Sequence, residues 1–382
     1  MKRMLFDSEH ELFRETVRDF IGREIAPNHL RWETDGKVDK SMFRAAGEQG
    51  LLGMAVPERF GGAGVSDFRF NVVISEETMA ADVFGSGMCI TLHNDVCLPY
   101  FVELATDDQM ERWGPGLVDG SLMSAIAMTE PGAGSDLAGI STTATRDGDQ
   151  YVVNGSKTFI TNGINSDLVI TAVKTDPTQR HAGVSLLVIE DGMEGFTRGR
   201  NLEKIGLHSQ DTAELFFSDV HVPVSNLLGA EGRGFYHLVN NLPQERLSLA
   251  VGSLAHARTA FGWTLEYVKE RKAFGAPIGS NQVIKHRLAE IATELDLGQA
   301  YLDAQVERLN QRELSAEDAA KSKWWCSELE KRVIDSCLQF YGGWGYMEEY
   351  PIARAYRDAR VQTIYGGTTE IMKEIIGKSL GL

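Results

Sequence analysis

Apolar residues recur at helical spacing through the first part of the chain. In Glu9–Ile25, the positions Leu12, Phe13, Val17, Phe20 and Ile21 share one face, and Pro27 then limits the helix. The same spacing predicts helices over Lys40–Gly50, Phe70–Ala81 and Asp107–Trp113, while Val56–Gly62, with a proline and paired glycines, reads as a loop. The pattern changes near Ser121. From there to about Leu228, short apolar runs at Tyr151–Val153, Lys157–Thr161, Leu168–Val173, Val184–Ile189 and Glu214–Val222 read as strands. Asp147-Gly148 precedes the first run, Asn154-Gly155 is a hairpin signal, and Asn162-Gly163 closes the second run. After Gly229 the helical period returns over Leu247–Phe274, Gln282–Asn310, Ala316–Phe340 and Thr369–Leu380, with Pro243 opening or kinking the first of these.

This order predicts an α+β fold in three parts. An N-terminal α-helical domain spans 1–120, a middle β-barrel or β-sandwich domain 121–229, and a C-terminal four-helix bundle 230–382. A chain of 382 residues, 43% hydrophobic and 24% charged, can bury cores of that number and size. Its net charge of −16 argues against a nucleic-acid partner, which would need a basic stripe. No apolar run is long enough to insert in a membrane, and Met1–Phe20 is acidic rather than leader-like, so a cytoplasmic protein is expected. Cys89, Cys97, Cys326 and Cys337 have no metal or CxxC spacing and read as buried free thiols in a reducing compartment.

Several motif searches fail. Gly132-Ala133-Gly134 begins like a dinucleotide fingerprint, but Leu137 stands where the third glycine is needed, and no βαβ unit follows. The nine histidines have no ligand spacing, so no metal is expected. Gly377–Gly381 matches GxSxG, yet a nucleophile elbow needs a strand before it and a helix after it. That match is accidental.

Three other segments carry more weight. Met128–Asp136, reading MTEPGAGSD, is a glycine-rich loop whose N–H groups are free to face a ligand. Gln339–Tyr346 with Arg357–Arg360 leads into Ile364–Ile371, reading IYGGTTEI, and Glu270–Gly275 reads ERKAFG. Together they resemble the signatures of the acyl-CoA dehydrogenase family, in the order that the α–β–α layout requires. The resemblance is nearest to the long-chain branch, through Ala125–Thr129, Asn241–Leu247 and Gln210–Phe217.

The resemblance implies FAD as cofactor and an acyl-CoA as substrate, oxidised to the trans-2-enoyl thioester. A flavin needs donors to its pyrimidine edge and N5, an apolar wall, and donors for two phosphates. On this similarity Ile126, Met128, Thr129, Ser135, Phe159, Ile160 and Thr161 would flank the ring system. Arg271, Phe274, Gln282, Gln339, Gly342 and Gly343 would reach an FAD from a different subunit of a dimer, Arg271 by charge-assisted contacts to the pyrophosphate. Thr368 and Glu370, just before the last helix, would complete the phosphate and ribose contacts, with Glu370 toward the sugar or adenine.

Many members of the family carry a glutamate after the tyrosine of the Tyr-x-Gly-Thr segment; Gly366 stands there in this chain. The family's other placement for the base is on the helix that opens the C-terminal domain, which points to Glu245. The backbone N–H of Gly366 would still polarise the thioester oxygen. Arg246 would orient the base or border the thioester, with Gly367 beside it, while Tyr236 and Tyr365 would line the acyl or pantetheine channel. Ser135 would hydrogen-bond the pantetheine, and His181 and Ala182 would touch the nucleotide end of CoA. The resemblance further implies a homotetramer, a dimer of dimers, with an electron-transferring flavoprotein as acceptor. Rival readings are an isovaleryl-type dehydrogenase for branched short chains, a flavin oxidase or monooxygenase, and a catalytically silent binding protein on the same fold.

Overall fold

The computed structural model describes residues 3–382; Met1 and Lys2, the start of the expected leaderless segment, lie outside the described residues. Helices α1 (Ser8–Phe20), α2 (His29–Asp35), α3 (Lys40–Glu48), α4 (Arg69–Ala80), α5 (Phe84–Thr91), α6 (Leu98–Leu104) and α7 (Asp107–Asp119) form the first layer. Capping decides where several of them begin and end. Asp7 and His10 close a capping box on α1, Thr106 and Gln109 another on α7, and α7 stops at Gly120 in the left-handed region. Helix α7 passes the expected end at Trp113 and tolerates Pro115 inside it. Two π-helical segments, Ile21–Ile25 and Leu92–Cys97, continue α1 and α5. The second joins α5 to α6 without a break in helical backbone, and its Leu92 and Val96 line the cavity beside α8.

The middle part is a curled seven-stranded sheet of β1 (Ser124–Ala127), β2 (Thr143–Asp147), β3 (Gln150–Thr161), β4 (Leu168–Lys174), β5 (Val184–Glu190), β6 (Phe196–Asn201) and β7 (Thr212–Pro223). Strand β4 is buried along its whole length, paired with β5 on one side and parallel β1 on the other, which explains its unbroken apolar run. The expected hairpin at Asn154-Gly155 is not there. The hairpin lies at Gly148-Asp149, where Asp147 pairs with Gln150 and Gly148 takes φ +60. Asn154 lies inside β3 and clasps Asp219 across a β7 bulge, through two hydrogen bonds of 2.9 Å. Gly155 is needed for close approach instead, since a Cβ there would stand 2.6 Å from Thr142 Oγ1.

Helix α8 (Gly234–Glu270) begins three turns earlier than its apolar period suggests and carries Pro243 internally. It ends before Phe274, which lies in a small hairpin of β8 (Lys272–Ala273) and β9 (Ala276–Pro277). Helices α9 (Gln282–Asn310), α10 (Ala316–Tyr341), α11 (Pro351–Ala359) and α12 (Thr369–Ser379) complete the helical bundle, with α10 touching α8, α9, α11 and α12. Gly377 and Ser379 are on α12, so the GxSxG match has no strand–turn–helix setting. One apolar core runs through α8, α9 and α10 to Val72 on α4, and a second fuses α6 and α7 with β4 and β5. All four cysteines are buried and free. Among the described residues no helix is long and apolar enough to cross a membrane, and no cluster of potential metal ligands occurs.

The Gly155 contact makes a clear prediction. Gly155→Ala should lower stability by about 1–3 kcal/mol, because φ +146 and the Thr142 contact both oppose a Cβ. An unchanged thermal midpoint would contradict this close packing.

Candidate active site

The site lies where the helical layers meet the curled sheet. Its inner part is a cavity of about 260 Å³ between α4, α5, the Leu92–Cys97 segment and α8. Leu242, Glu245, Ser248, Leu249 and Gly252 recur at three- and four-residue spacing, so one face of α8 makes a wall. Met79, Phe84, Met88, Leu92 and Val96 supply an apolar lining opposite. A larger cleft of about 870 Å³ joins it through Met88, Thr129, Gly134, Ser135, Phe159, Thr161 and Tyr365–Gly367. Arg200, Lys204, Arg357 and Arg360 border the cleft and outnumber the acids Glu203 and Asp358 in its walls.

Glu245 is buried, and burial pushes its carboxyl up to about 7, while the Tyr100 hydrogen bond and the Arg246 charge oppose the rise. Tyr100 on α6 donates to Glu245 Oε1 at 2.7 Å. The neighbouring turns of α8 are fastened by Asp95. Its carboxylate accepts from Ser248 Oγ at 2.5 Å and Asn71 Nδ2 at 2.6 Å, and its carbonyl accepts from Gln244 Nε2 at 3.0 Å. The α8 face is thereby fixed on both sides of Glu245.

Gly366 and Gly367 have φ +64 and +102, a turn that glycine accepts readily. Arg246 Nε donates to the Gly366 carbonyl at 3.4 Å, and Lys323 Nζ donates to the Gly367 carbonyl at 2.6 Å. Both cations are buried, and burial holds the lysine down to about 8. The carbonyls are thus anchored toward the protein, and the N–H of Gly366 has no protein acceptor among the described residues. That leaves a donor beside the Glu245 cavity.

The Met128–Ser135 loop is held by a buried ion pair. Lys157 Nζ lies 2.8 Å from Glu130 Oε1 and donates to the Met128 carbonyl at 3.1 Å. Glu130 also accepts from the N–H groups of Ser141 and Thr142 at 2.6 and 2.9 Å. Its carboxyl is held down to about 2 by Lys157 and these donors, which outweigh its burial. Thr158 N–H then binds the Thr129 carbonyl at 3.0 Å, just before a β-bulge that throws Phe159 outward at φ +60. A bulky residue held there is strained, and Phe159 is 68% exposed at the junction of the two cavities.

Most of the expected residues converge here. Ile126, Met128, Thr129, Ser135, Phe159, Ile160, Thr161, Glu245, Arg246, Tyr365, Gly366 and Gly367 line the inner cavity, and Thr368 lines the outer cleft. Thr368 caps α12, on which Glu370 sits in the first turn, exposed. Arg271, Phe274, Gln339, Gly342 and Gly343 instead surround a shallow recess of about 570 Å³ that shares no residue with the other two. Gln282 opens α9 next to it. Tyr236, His181 and Ala182 are not in the walls of either cavity. His181 packs on Phe235 at 4.4 Å, and Arg180 joins that loop to Asp136 through a 3.0 Å ion pair.

Sequence reasoning missed Tyr100, Asp95, Lys157 and Lys323. Lys157 left a trace, a charge in line with Tyr151 and Val153 on the buried face of β3, whereas Lys323 shares its helix face with the buried Glu330 and left none. Tyr100 left none, because its partner is 145 positions away.

Family models for the acyl-CoA dehydrogenase N-terminal, middle and C-terminal domains match residues 7–121, 125–220 and 232–381. The chain belongs to the acyl-CoA dehydrogenase family, oxidoreductases that depend on FAD. It is 46% identical over 380 residues to the mitochondrial long-chain specific acyl-CoA dehydrogenase of Sus scrofa, covering 99% of this chain and 88% of that one. The crystal structure of acyl-CoA dehydrogenase from Geobacillus kaustophilus superposes with a TM-score of 0.97 at 48% identity, covering 100% of both chains. A glutaryl-CoA dehydrogenase of Mycobacterium smegmatis in complex with FADH2 follows with a TM-score of 0.90 at 26% identity, covering 98% of this chain and 95% of that one.

The residues present fit the cofactor. The cleft joins an amide-rich loop to cationic walls and to the N-terminus of α12, while Tyr365 Oη and Gln362 Oε1 are buried nearby without protein partners.

Two outcomes test the loop anchor. Lys157→Met strips a buried carboxylate of its cation and should cost about 3–5 kcal/mol, with a loss of retained FAD. Glu130 contributes fully above the unfolded carboxyl value of 4.5, and that contribution is lost as pH falls through about 2. The acid limb of stability should therefore shrink in this variant. Parent-level flavin retention with an unchanged urea midpoint would refute the anchor.

Proposed function

We propose that this chain oxidises an acyl-CoA at the Cα–Cβ bond with Glu245 as the base that takes the α-proton. The observation that carries the reading is one buried carboxylate, raised to about 7, in the wall of an apolar cavity that opens onto the flavin cleft. Bound FAD supplies the acceptor for the hydride that leaves Cβ as the α-proton goes. Glu245 collects the proton, the Cα–H electron pair forms the double bond as the Cβ–H pair leaves with the hydride, and the product is the trans-2-enoyl thioester. Negative charge that develops on the thioester oxygen meets the Gly366 N–H, whose turn is held by Arg246 and Lys323. The apolar lining excludes water, so the carboxylate works in a medium where its basicity is high.

The substrate reading is a long-chain acyl thioester in fatty-acid oxidation. It is supported by the 46% identity to a long-chain enzyme and by a lining rich in methionine, which packs against flexible chains. Arg271, Phe274, Gln339 and the Gly342-Gly343 turn lie apart from the inner cavity, which supports a split FAD site completed by a second subunit and hence a dimer of dimers. Electrons then leave to an electron-transferring flavoprotein, with no reduction of NAD.

Anaerobic mixing with acyl-CoA tests the reading. The parent protein, yellow with about one FAD per chain in this reading, should bleach, and Glu245→Gln should slow bleaching at least about 10²–10⁴-fold while keeping its FAD. Bleaching should rise with pH through about 7, because the ionised carboxylate is the active form. Gly366→Glu added to Glu245→Gln should restore part of the rate, with a shift toward shorter acyl chains, since the atom crowding a Cβ there is the movable end of Leu249 and the new side chain then fills cavity space. Undiminished bleaching in Glu245→Gln would move the base elsewhere, and rapid reoxidation by oxygen would favour an oxidase.

A further inference from the structure

Tyr100 is fully buried on α6, the helix that follows the π-helical segment Leu92–Cys97. Its ring packs in the apolar core shared by α6, α7, β4 and β5, a setting in which phenylalanine would fill the same space without a polar atom to satisfy. The hydroxyl instead reaches across to α8 and donates to Glu245 Oε1 at 2.7 Å. It is the only hydrogen-bond donor to that carboxylate among the described residues, so Oε2 is left unoccupied by protein.

We propose that Tyr100 is the positioning residue for Glu245, holding Oε1 so that Oε2 is presented to the α-carbon of the substrate. This inference rests on the reading of Glu245 as the base. A phenol that donates to a carboxylate also favours the ionised form, against the burial that favours the neutral one. Tyr100 therefore does two things through one bond: it fixes the direction of the carboxylate and keeps enough of it ionised at neutral pH.

The surroundings leave this task to few other groups. Arg246, next along α8, attracts the charge but makes no hydrogen bond to it, its Nε donating to the Gly366 carbonyl instead. Cys97, on the π-helical segment, faces the same carboxylate, and burial pushes its thiol up to about 12, so it stays neutral. Asp95 on that segment is engaged by Ser248 and Asn71. Lys323, from α10, faces Arg246 and the Gly367 carbonyl. The phenol itself is pushed well above its ordinary range by burial and by Glu245, so it remains a donor at every working pH.

The test uses the FAD-loaded protein with Tyr100→Phe, and FAD content and thermal midpoint verify that it folds. The pH profile of flavin bleaching, followed as kcat/KM, should move upward by about one unit. Bleaching at pH 7 should fall about five- to tenfold and recover at higher pH, where the carboxylate ionises without help. Tyr100→Phe placed in Glu245→Gln should add no further loss, because there is no longer a carboxylate to aim. A fluorinated tyrosine at position 100, isosteric but a stronger donor, should move the profile downward and keeps the test open if phenylalanine disturbs folding. If Glu245→Gln is inactive but neither change at position 100 moves the profile, Tyr100 is a packing residue and the inference is overturned. If Glu245→Gln bleaches as fast as the parent, the base reading falls first and this inference falls with it.

Discussion

Taking one carboxyl group out of water is the constraint on which the arrangement turns. An isolated ionised carboxylate in an apolar interior is so costly that it normally neutralises. Glu245 is kept between the two forms by burial on one side and by the Tyr100 hydroxyl and the Arg246 charge on the other. Much of the surrounding structure can be understood as what this balance needs. Asp95 pins the neighbouring turns of α8, the π-helical segment brings Asp95 and Tyr100 to that helix, and the apolar walls exclude solvent.

The second half of the site depends on a different buried charge. Glu130 and Lys157 satisfy each other and also bind three backbone groups from two segments: the Met128 carbonyl and the N–H groups of Ser141 and Thr142. A glycine-rich loop alone has no reason to keep one shape, because glycine loses the most freedom on ordering. The ion pair gives it that shape, and Thr158 passes the constraint to the strained Phe159. Loop and ring therefore form one unit with the strand that carries Lys157.

The layered order of helices, sheet and helices was legible because α9 and α10 keep a helical period and β4 and β5 keep short apolar runs. Segments with weaker local patterns were not. Helix α5 is buried nearly all round, so it shows no polar face, and β6 is mostly half-exposed and carries two arginines. Asn154-Gly155 misled because the same dipeptide that suits a two-residue turn also suits a strand crossing a bulge, where Asn154 binds Asp219 and Gly155 admits Thr142. Only the tertiary partner separates the two. Glu245 and Gly366 were singled out through the family resemblance of the segments that carry them, and the structure brings both to the wall of one cavity. Its supports, Tyr100 and Lys323, lie 145 residues before Glu245 and 44 before Gly367, and no local spacing links them.

The central claim is that Glu245 removes the α-proton, and hydrogen exchange at that carbon tests it most directly. Acyl-CoA incubated anaerobically with the FAD-loaded protein in D2O and recovered at short times can be assayed by mass for deuterium at Cα. Reversible abstraction by Glu245 predicts wash-in with the parent protein and none above the enzyme-free rate with Glu245→Gln of equal FAD content. Wash-in at the parent rate by Glu245→Gln would contradict the account, because another group would then be taking the proton.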